Sequence, residues 1–196
     1  SALGKNNVCG ISLPSKFSSS HSLNDAKQLA TNLGIEYQVI KIHSIIESFE
    51  TTLKPSFKNQ NSNIAEENIQ SRVRGNLLMA LANKFGWLVL STGNKTELAL
   101  GYCTLYGDMI GALSVIADLS KNDVYAVSKW INKHHQNCIP INSLLKHPSA
   151  ELSPNQVDPF DYSIISPLVD DIIEKQKPLS VLINEGFEES LVRDIY

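Results

Sequence analysis

The residues best suited to chemistry lie within residues 91–108, which read STGNKTELALGYCTLYGD. The apolar run at 87–91 predicts a buried strand that leads directly into this segment. Thr92 offers a hydroxyl group, Gly93 allows a ligand close to the backbone, and the following helix start offers N–H groups to a phosphate or carboxylate. Glu97 could hold Mg²⁺ together with phosphate oxygens. A turn that binds no ligand is the alternative, because Thr, Gly and Asn are common turn residues.

Composition excludes several classes of protein. The chain has 196 residues, 42% of them hydrophobic and 19% charged, which is typical of one globular domain. A formal net charge of −3 argues against a nucleic-acid partner. Cys9, Cys103 and Cys138 are far apart and form no CxxC pair, which favours reduced thiols in a cytoplasmic protein. No apolar run reaches the roughly 20 residues of a membrane span.

The first forty residues predict a strand, a helix and a second strand. Residues 8–13 form a short apolar run that indicates a buried strand. Ser22 is a candidate N-cap for the helix that follows, and Gly34 is its candidate stop. Residues 35–42 alternate and are rich in β-branched side chains, as in a strand. Such a unit implies two parallel strands joined by a right-handed crossover.

The middle of the chain predicts helices around a polar loop. Ser44 begins a helical stretch at 44–53, and the polar residues 54–63 indicate an exposed loop. Asn63 can cap a long helix over 64–85, with Glu66 completing a capping box. On that helix Asn68 and Arg72 are four residues apart and therefore lie on one face.

The last third of the chain is predicted to be helical. Ser120 and Asp123 form a capping box for one helix, and two or three more follow residue 158, with Gly186 between the last two. The fold class is therefore α/β, a Rossmann-like parallel sheet flanked by helices with a helical C-terminal tail. Ligands of such sheets bind beyond the carboxyl ends of the strands, where residues 92–97 lie.

The chain resembles the synthetase domain of glutamine-dependent NAD synthetases, within the ATP pyrophosphatase superfamily. The segment RGNLLMALANKFGWLVLSTGNKTELALGYCTLYGD carries the resemblance, with LPSKFSSSHSLNDA before it and HPSAEL after it. Leu105 stands where ammonia-dependent members usually have Lys, which points to the glutamine-dependent branch. The resemblance implies an adenine nucleotide alpha hydrolase-like fold.

The resemblance also implies a reaction. ATP adenylates the nicotinate carboxylate of deamido-NAD, and ammonia then displaces AMP to give NAD. The implied partners are ATP, Mg²⁺, deamido-NAD, ammonia or glutamine through an upstream amidase domain, and a second copy of the chain. The candidate dimer contact is the long helix around residues 68–85.

Site residues follow from the matching motifs. For ATP the resemblance implies Thr92, Lys121 and Ser149. For deamido-NAD it implies Asn68, Arg72, Glu97, Tyr102, Cys103, Thr104 and Leu105. Glu97 is also the candidate metal ligand. Outside the resemblance, Lys121 and Ser149 have a simpler interpretation as solvated residues at a helix start and in a loop, and Arg72 as one half of a structural ion pair.

Two parts of the family pattern are absent from the sequence. The phosphate loop SGGxDS would precede residue 1, and a basic substrate-binding segment would follow residue 196. We therefore expect residues 1–196 to be a partial NAD synthetase domain. The alternatives are an inert α/β dimerisation module and another ATP pyrophosphatase such as GMP synthetase.

The absent phosphate loop leads to a first prediction. Purified residues 1–196, incubated with deamido-NAD, MgATP and ammonia, are expected to form no NAD, because the backbone N–H groups that cradle pyrophosphate would be lacking. Chromatographic detection of NAD checks this. NAD formation above a protein-free control would contradict it.

Overall fold

The computed structural model of the protein describes residues 2–58, 60–135 and 137–196. Its strands are β1 (Cys9–Ser12), β2 (Glu36–Val39), β3 (Leu90–Ser91) and β4 (Leu113–Ser114). Its α-helices are α1 (Ser20–Leu33), α2 (His43–Phe57), α3 (Ile64–Phe85), α4 (Lys95–Ala99), α5 (Lys121–His134), α6 (Ile141–Leu145), α7 (Tyr162–Ile173), α8 (Leu179–Asn184) and α9 (Glu189–Ile195). A short 3₁₀ helix, Lys5–Asn7, precedes β1.

The strands pair in parallel, as the sequence predicts. β1 pairs with β2 in the register Cys9↔Glu36 to Ser12↔Val39, and α1 forms the crossover between them. β3 pairs with β4 over two residues, Leu90↔Leu113 and Ser91↔Ser114. The α/β, Rossmann-like class is confirmed, but in the described residues the sheet consists of two separate parallel pairs.

Both strands that were predicted to be buried are more exposed than expected. Residues of β1 are half-buried, and β3 contains only the last two residues of the predicted strand at 87–91. Leu88 and Leu90 are exposed by 65% and 42% of their surface. The prediction failed because a parallel strand is fully buried only where both faces of its sheet are covered, and among the described residues β3 forms just a two-residue pair with β4.

Helix ends followed local sequence signals at most positions. Asn63 caps α3 in a capping box with Glu66, and α3 stops at Gly86, whose φ of 69° is left-handed. Ser120 and Asp123 cap α5 in the same way. Gly34, with φ 65°, ends α1 as predicted.

Two predicted helix starts and one loop were wrong. α1 begins at Ser20, because Ser19 rather than Ser22 is its N-cap. α2 begins at His43 after Ile42, not at Ser44. It also continues through Pro55 into the predicted loop 54–63; a proline in the last turn removes only one helical hydrogen bond. Residue 59 of that loop lies outside the described residues.

Two apolar clusters hold the helices in place. One joins β1, α2 and α3 through Leu13, Ile42, Ile46 and Val73. The other holds the C-terminal helices through Leu168, Leu182 and Val192, all three of which are fully buried. The predicted helical tail, with Gly186 between α8 and α9, is therefore packed on itself. Among the described residues, no helix is long and apolar enough to cross a membrane.

The loop at residues 104–108 approaches α3 so closely that two glycines are needed. A Cβ at Gly107 would overlap Ser71, with the Ser71 Cβ only 2.9 Å away, and one at Gly75 would lie 2.9 Å from the Tyr106 carbonyl oxygen. This contact fixes how far the loop stands from the helix.

We expect Gly107→Ala to destabilise the fold by about 1–3 kcal/mol, because the added methyl group must push the loop away from Ser71. The measurement is the free energy of unfolding in urea. Gly93→Ala is the matched control, since a Cβ there meets Leu98 at an ordinary 3.6 Å. Equal stability of the two variants would show that the close approach does not matter.

Candidate functional site

A cleft of about 630 Å³ opens beyond β3, where the loop after this strand meets α3, α4 and the start of α5. It contains eight of the ten residues predicted from the motifs: Asn68, Thr92, Glu97, Tyr102, Cys103, Thr104, Lys121 and Ser149. Arg72 and Leu105 lie beside it instead, with the Arg72 Nε donating to the Leu105 carbonyl oxygen at 3.2 Å. Residues separated by more than 80 positions in the chain thus share one site.

Lys121 and Glu97 form an ion pair inside the cleft. The Lys121 Nζ lies 2.8 Å from the Glu97 Oε1, and both side chains are about one-fifth exposed. The Lys121 ammonium also lies 5.2 Å from the centre of the Tyr162 ring. The second Glu97 oxygen accepts from the Asn94 backbone N–H at 3.2 Å, which closes the capping box of α4. Each member of the ion pair therefore has a further contact: Glu97 with Asn94, and Lys121 with Tyr162.

A buried threonine fixes the relative position of the two helices that carry this pair. Thr96 has no exposed surface, and its hydroxyl accepts from the Lys121 backbone N–H at 3.1 Å. The same hydroxyl shares a hydrogen bond of 3.2 Å with Ser166 on α7. α4 and the start of α5 are therefore tied together directly behind the ion pair.

At the start of α4, two of the N–H groups that the sequence suggested for a ligand already have partners. The Lys95 N–H donates to the Leu119 carbonyl oxygen at 2.9 Å, and the Glu97 N–H donates to the Asn94 side chain at 3.0 Å. α4 is also only five residues long.

The predicted ATP residues Thr92 and Ser149 differ in their surroundings. Thr92 is exposed at the rim of the cleft, directly after β3. The Ser149 hydroxyl is already used within its own loop: it donates to the Gln156 carbonyl oxygen at 2.5 Å and accepts from the Glu151 N–H at 3.1 Å. Ser149 thus shapes the loop as well as lining the cleft.

The loop at residues 104–108 is attached to α3 by polar contacts. The Thr104 hydroxyl donates to Asn68 at 2.7 Å, and its N–H donates to the Asp108 carboxylate at 2.7 Å. Ser71 donates to that carboxylate at 3.0 Å and accepts the Asp108 N–H at 3.0 Å. Burial, together with the charges of Asp108 and Glu97, raises the pKa of the Cys103 thiol, so Cys103 stays protonated at neutral pH.

Sequence reasoning missed Asp158, an acidic residue that lines the cleft. The Asp158 carboxylate accepts from Tyr102 at 3.0 Å and from Tyr162 at 2.8 Å. Burial and this carboxylate raise the pKa of both phenols, so they act as fixed donors. The Tyr162 ring in turn lies beside the Lys121 ammonium, so Asp158 helps to orient the ring that this ammonium contacts. The position of Asp158 in the sequence does not indicate this role, because Asp158 reaches the cleft only when its loop folds back.

Sequence reasoning also missed Arg74. It lies two residues after Arg72 on α3 and therefore points to a different side of the helix. Arg74 lines the cleft, is half-buried and donates from Nε to the Leu13 carbonyl oxygen at 2.9 Å. Burial lowers the pKa of its guanidinium, although the charge of Glu151 partly opposes this effect.

The loop that carries Ser149 is anchored by Glu151, a third residue without a sequence signal. The Glu151 carboxylate accepts from Lys146, from the hydroxyls of Ser19 and Ser22 at 2.8 Å each, and from the Ser19 N–H at 3.0 Å. It therefore sits at the start of α1, where a negative charge is favoured. Burial alone would raise the pKa of Glu151, but these donors outweigh it and lower the pKa to about 2.

A polar cleft beyond the carboxyl ends of parallel strands is the usual position of a ligand site in α/β proteins, and it makes this cleft the candidate site. The profile of the NAD synthase family matches residues 1–196. The chain belongs to the NAD synthase family, which sets aside the alternative of a GMP synthetase.

Relatives and solved structures agree with this assignment. The chain is 50% identical to a glutamine-dependent NAD(+) synthetase of Synechocystis and 46% identical to one of Thermotoga maritima, with 99% of the chain covered in both. It spans about a third of the length of these relatives, 35% and 34%.

Two solved structures show the same fold. One is a glutamine-dependent NAD+ synthetase from Acinetobacter baumannii in complex with ADP, with 37% identity and a TM-score of 0.73; it matches 99% of this chain and 35% of its own. The other is an NH3-dependent NAD synthetase from Campylobacter jejuni, with 28% identity and a TM-score of 0.74; it matches 97% of this chain and 71% of its own.

The Glu151 anchor gives a pH-dependent prediction. Its pKa in the folded protein lies below the usual 4.5, so the carboxylate stabilises the fold above about pH 4.5 and this effect disappears as the pH falls towards 2. Glu151→Gln should cost about 1–3 kcal/mol at pH 7 and progressively less below pH 4.5. Urea unfolding at several pH values measures this. Exposed Glu50→Gln is the control; a pH-independent cost for Glu151→Gln would contradict the prediction.

Proposed function

We propose that the cleft binds ATP and deamido-NAD, and that the protein to which this chain belongs converts deamido-NAD to NAD. The observation that carries the proposal is the meeting of Thr92, Glu97, Tyr102, Thr104 and Lys121 in one cleft of a chain from this family. We further propose that the ammonia comes from glutamine, as in the named activity of the relatives.

The reaction follows from the chemistry of a carboxylate. An oxygen of the nicotinate carboxylate attacks the α-phosphorus of ATP, and pyrophosphate leaves. The ammonia nitrogen then attacks the activated carbonyl carbon, loses a proton, and AMP leaves with the carboxylate oxygen. Both substrates are anionic, so bringing them together requires positive charge and exact orientation more than proton transfer. In this proposal Lys121 supplies charge at the phosphates, and Thr92 donates a hydrogen bond.

The deamido-NAD side of the cleft would be formed by α3 and the loop after α4. Asn68 and Thr104 already hydrogen bond to each other there at 2.7 Å, and Tyr102 stands next to them. We propose these residues, with Cys103 and Glu97, as contacts of the dinucleotide. Arg72 and Leu105, which lie beside the cleft, would meet a part of the substrate that extends out of it.

Mg²⁺ fits the donor type of Glu97. Mg²⁺ usually takes one or two protein carboxylates along with phosphate oxygens and waters, so one carboxylate is enough. Consistent with this, the described residues contain no group of three or more acidic, His or Cys side chains that could hold a metal alone. When bound, the ion would neutralise phosphate charge. Lys121 would then turn from Glu97 towards the phosphates.

We also propose that the protein is cytoplasmic and forms a homodimer through α3. Exposed apolar side chains near the C-terminal end of this helix support the second point: Met79 is exposed by 39% of its surface and Phe85 by 55%. Covering such side chains with a second copy would remove apolar surface from water.

Binding measurements on this chain test the proposal. Titration calorimetry should detect MgATP and deamido-NAD, and Lys121→Gln should weaken MgATP about 10- to 100-fold, because a charge-assisted contact is lost and Glu97 is left to repel the phosphates. Lys129→Gln is the matched control, since Lys129 is an exposed lysine of the same helix, outside this cleft.

The outcomes separate the alternatives. If the chain binds neither MgATP nor deamido-NAD, the inert dimerisation module would be favoured. Unchanged MgATP affinity in Lys121→Gln would remove Lys121 from the ATP site. A parallel titration with nicotinate mononucleotide matters, because a solved NMN synthetase from Francisella tularensis shares this fold, with 26% identity and a TM-score of 0.75. Preference for the mononucleotide would replace deamido-NAD as the proposed substrate.

A further inference from the structure

Arg74 is a half-buried cation in the cleft that the motifs do not assign. Its Nε donates to the carbonyl oxygen of Leu13, directly after β1, at 2.9 Å. This bond leaves the two terminal nitrogens of the guanidinium, with up to four N–H donors, for other partners. The bond also places them at the carboxyl end of β1, which is the edge where ligands of parallel sheets bind.

The charge of Arg74 is not neutralised locally. Within residues 2–58, 60–135 and 137–196, no carboxylate comes within ion-pairing distance of it, whereas Lys121 is paired with Glu97. Glu151 attracts Arg74 from farther away, but its carboxylate already accepts from Lys146, Ser19 and Ser22. Taking a cation partly out of water without a partner costs free energy, so such a group is poised for an anion.

The remaining charges of the cleft make this cation more important. The lining residues that carry a formal charge are Glu67, Arg74, Glu97, Asp108, Lys121 and Asp158. Carboxylates therefore outnumber cations by four to two, and Lys121 is already engaged. A polyphosphate in this cleft would therefore be stabilised by contact with both cations.

The helical period of α3 decides which substrate Arg74 faces. Arg74 shares a side of the helix with Gln70 and Glu67, and both of these contact the loop that carries Ser149: Gln70 donates to the Leu152 carbonyl oxygen at 2.7 Å, and Glu67 accepts from Gln156 at 3.2 Å. Asn68 and Arg72 point instead to the loop at residues 104–108. Arg74 therefore lies on the side of α3 that faces the loop with Ser149, where the ATP site is proposed.

We propose that Arg74 binds a phosphate oxygen of ATP through its terminal guanidinium nitrogens. The inference rests on the proposed function and adds a residue to the ATP site. A guanidinium suits this task because its planar fork can donate two parallel hydrogen bonds to a phosphate. The hydrogen bond from Nε to the Leu13 carbonyl oxygen already holds the guanidinium in place, so little side-chain entropy is lost on binding.

Calorimetry on the 196-residue chain tests the assignment. Arg74→Gln should weaken MgATP binding about 10- to 100-fold and make it less sensitive to salt, while deamido-NAD affinity changes less than about threefold. Arg74→Lys should recover part of the MgATP affinity, because it keeps the charge but loses the fork. Arg193→Gln is the matched control, since Arg193 lies on α9 and pairs with Glu189 at the surface.

Circular dichroism separates a binding effect from unfolding. Arg74→Lys, with a spectrum and melting temperature close to those of the unchanged chain, keeps the test valid if Arg74→Gln does not fold. Wild-type MgATP affinity in both variants would overturn the inference and leave the proposed function intact. Loss of deamido-NAD binding alone would overturn the ATP assignment. Failure of the unchanged chain to bind MgATP would overturn both proposals.

Discussion

The helical period of α3 is the constraint on which the rest of the structure depends. Ile69, Val73 and Leu77 face the apolar cluster with Leu13 and Ile42, so the helix cannot rotate about its axis. The side that begins at Asn68 then meets the loop at residues 104–108, and the side that begins at Glu67 meets the loop at residues 149–156. Because residues one position apart differ by about 100°, the core packing fixes both polar sides at once.

Features encoded within a few residues could be predicted from the sequence. The capping boxes of Asn63 with Glu66 and of Ser120 with Asp123 form as expected, since both partners are three residues apart. The cleft around Thr92 and Glu97 could be located because a strand that runs into a Thr-Gly-Asn turn places those side chains at the ligand edge of a parallel sheet. Lys121 was assigned only by resemblance.

Features that depend on distant partners could not be predicted. Ser19 and Ser22 are equally good caps on local grounds, and Ser19 forms the cap where the Glu151 carboxylate, 132 residues away, meets the start of α1. Asp158 and Arg74 gain their roles only once the loops fold back onto the cleft. The lengths of β3 and β4 are likewise set by which strands pair, and an apolar run carries no information about its neighbours.

In the proposed complex, the two cations of the cleft would make different contributions to ligand binding. Lys121 is already paired with Glu97, 2.8 Å away, so a proposed contact with a phosphate would either share the ammonium with this carboxylate or replace it, at a cost to the existing pair. A Mg²⁺ ion on Glu97 would remove this cost, because it would compensate the carboxylate as Lys121 moves. Arg74 has only a neutral carbonyl partner and gives up no ion pair on contacting an anion. Its contribution should therefore persist without Mg²⁺, whereas that of Lys121 should depend on the ion.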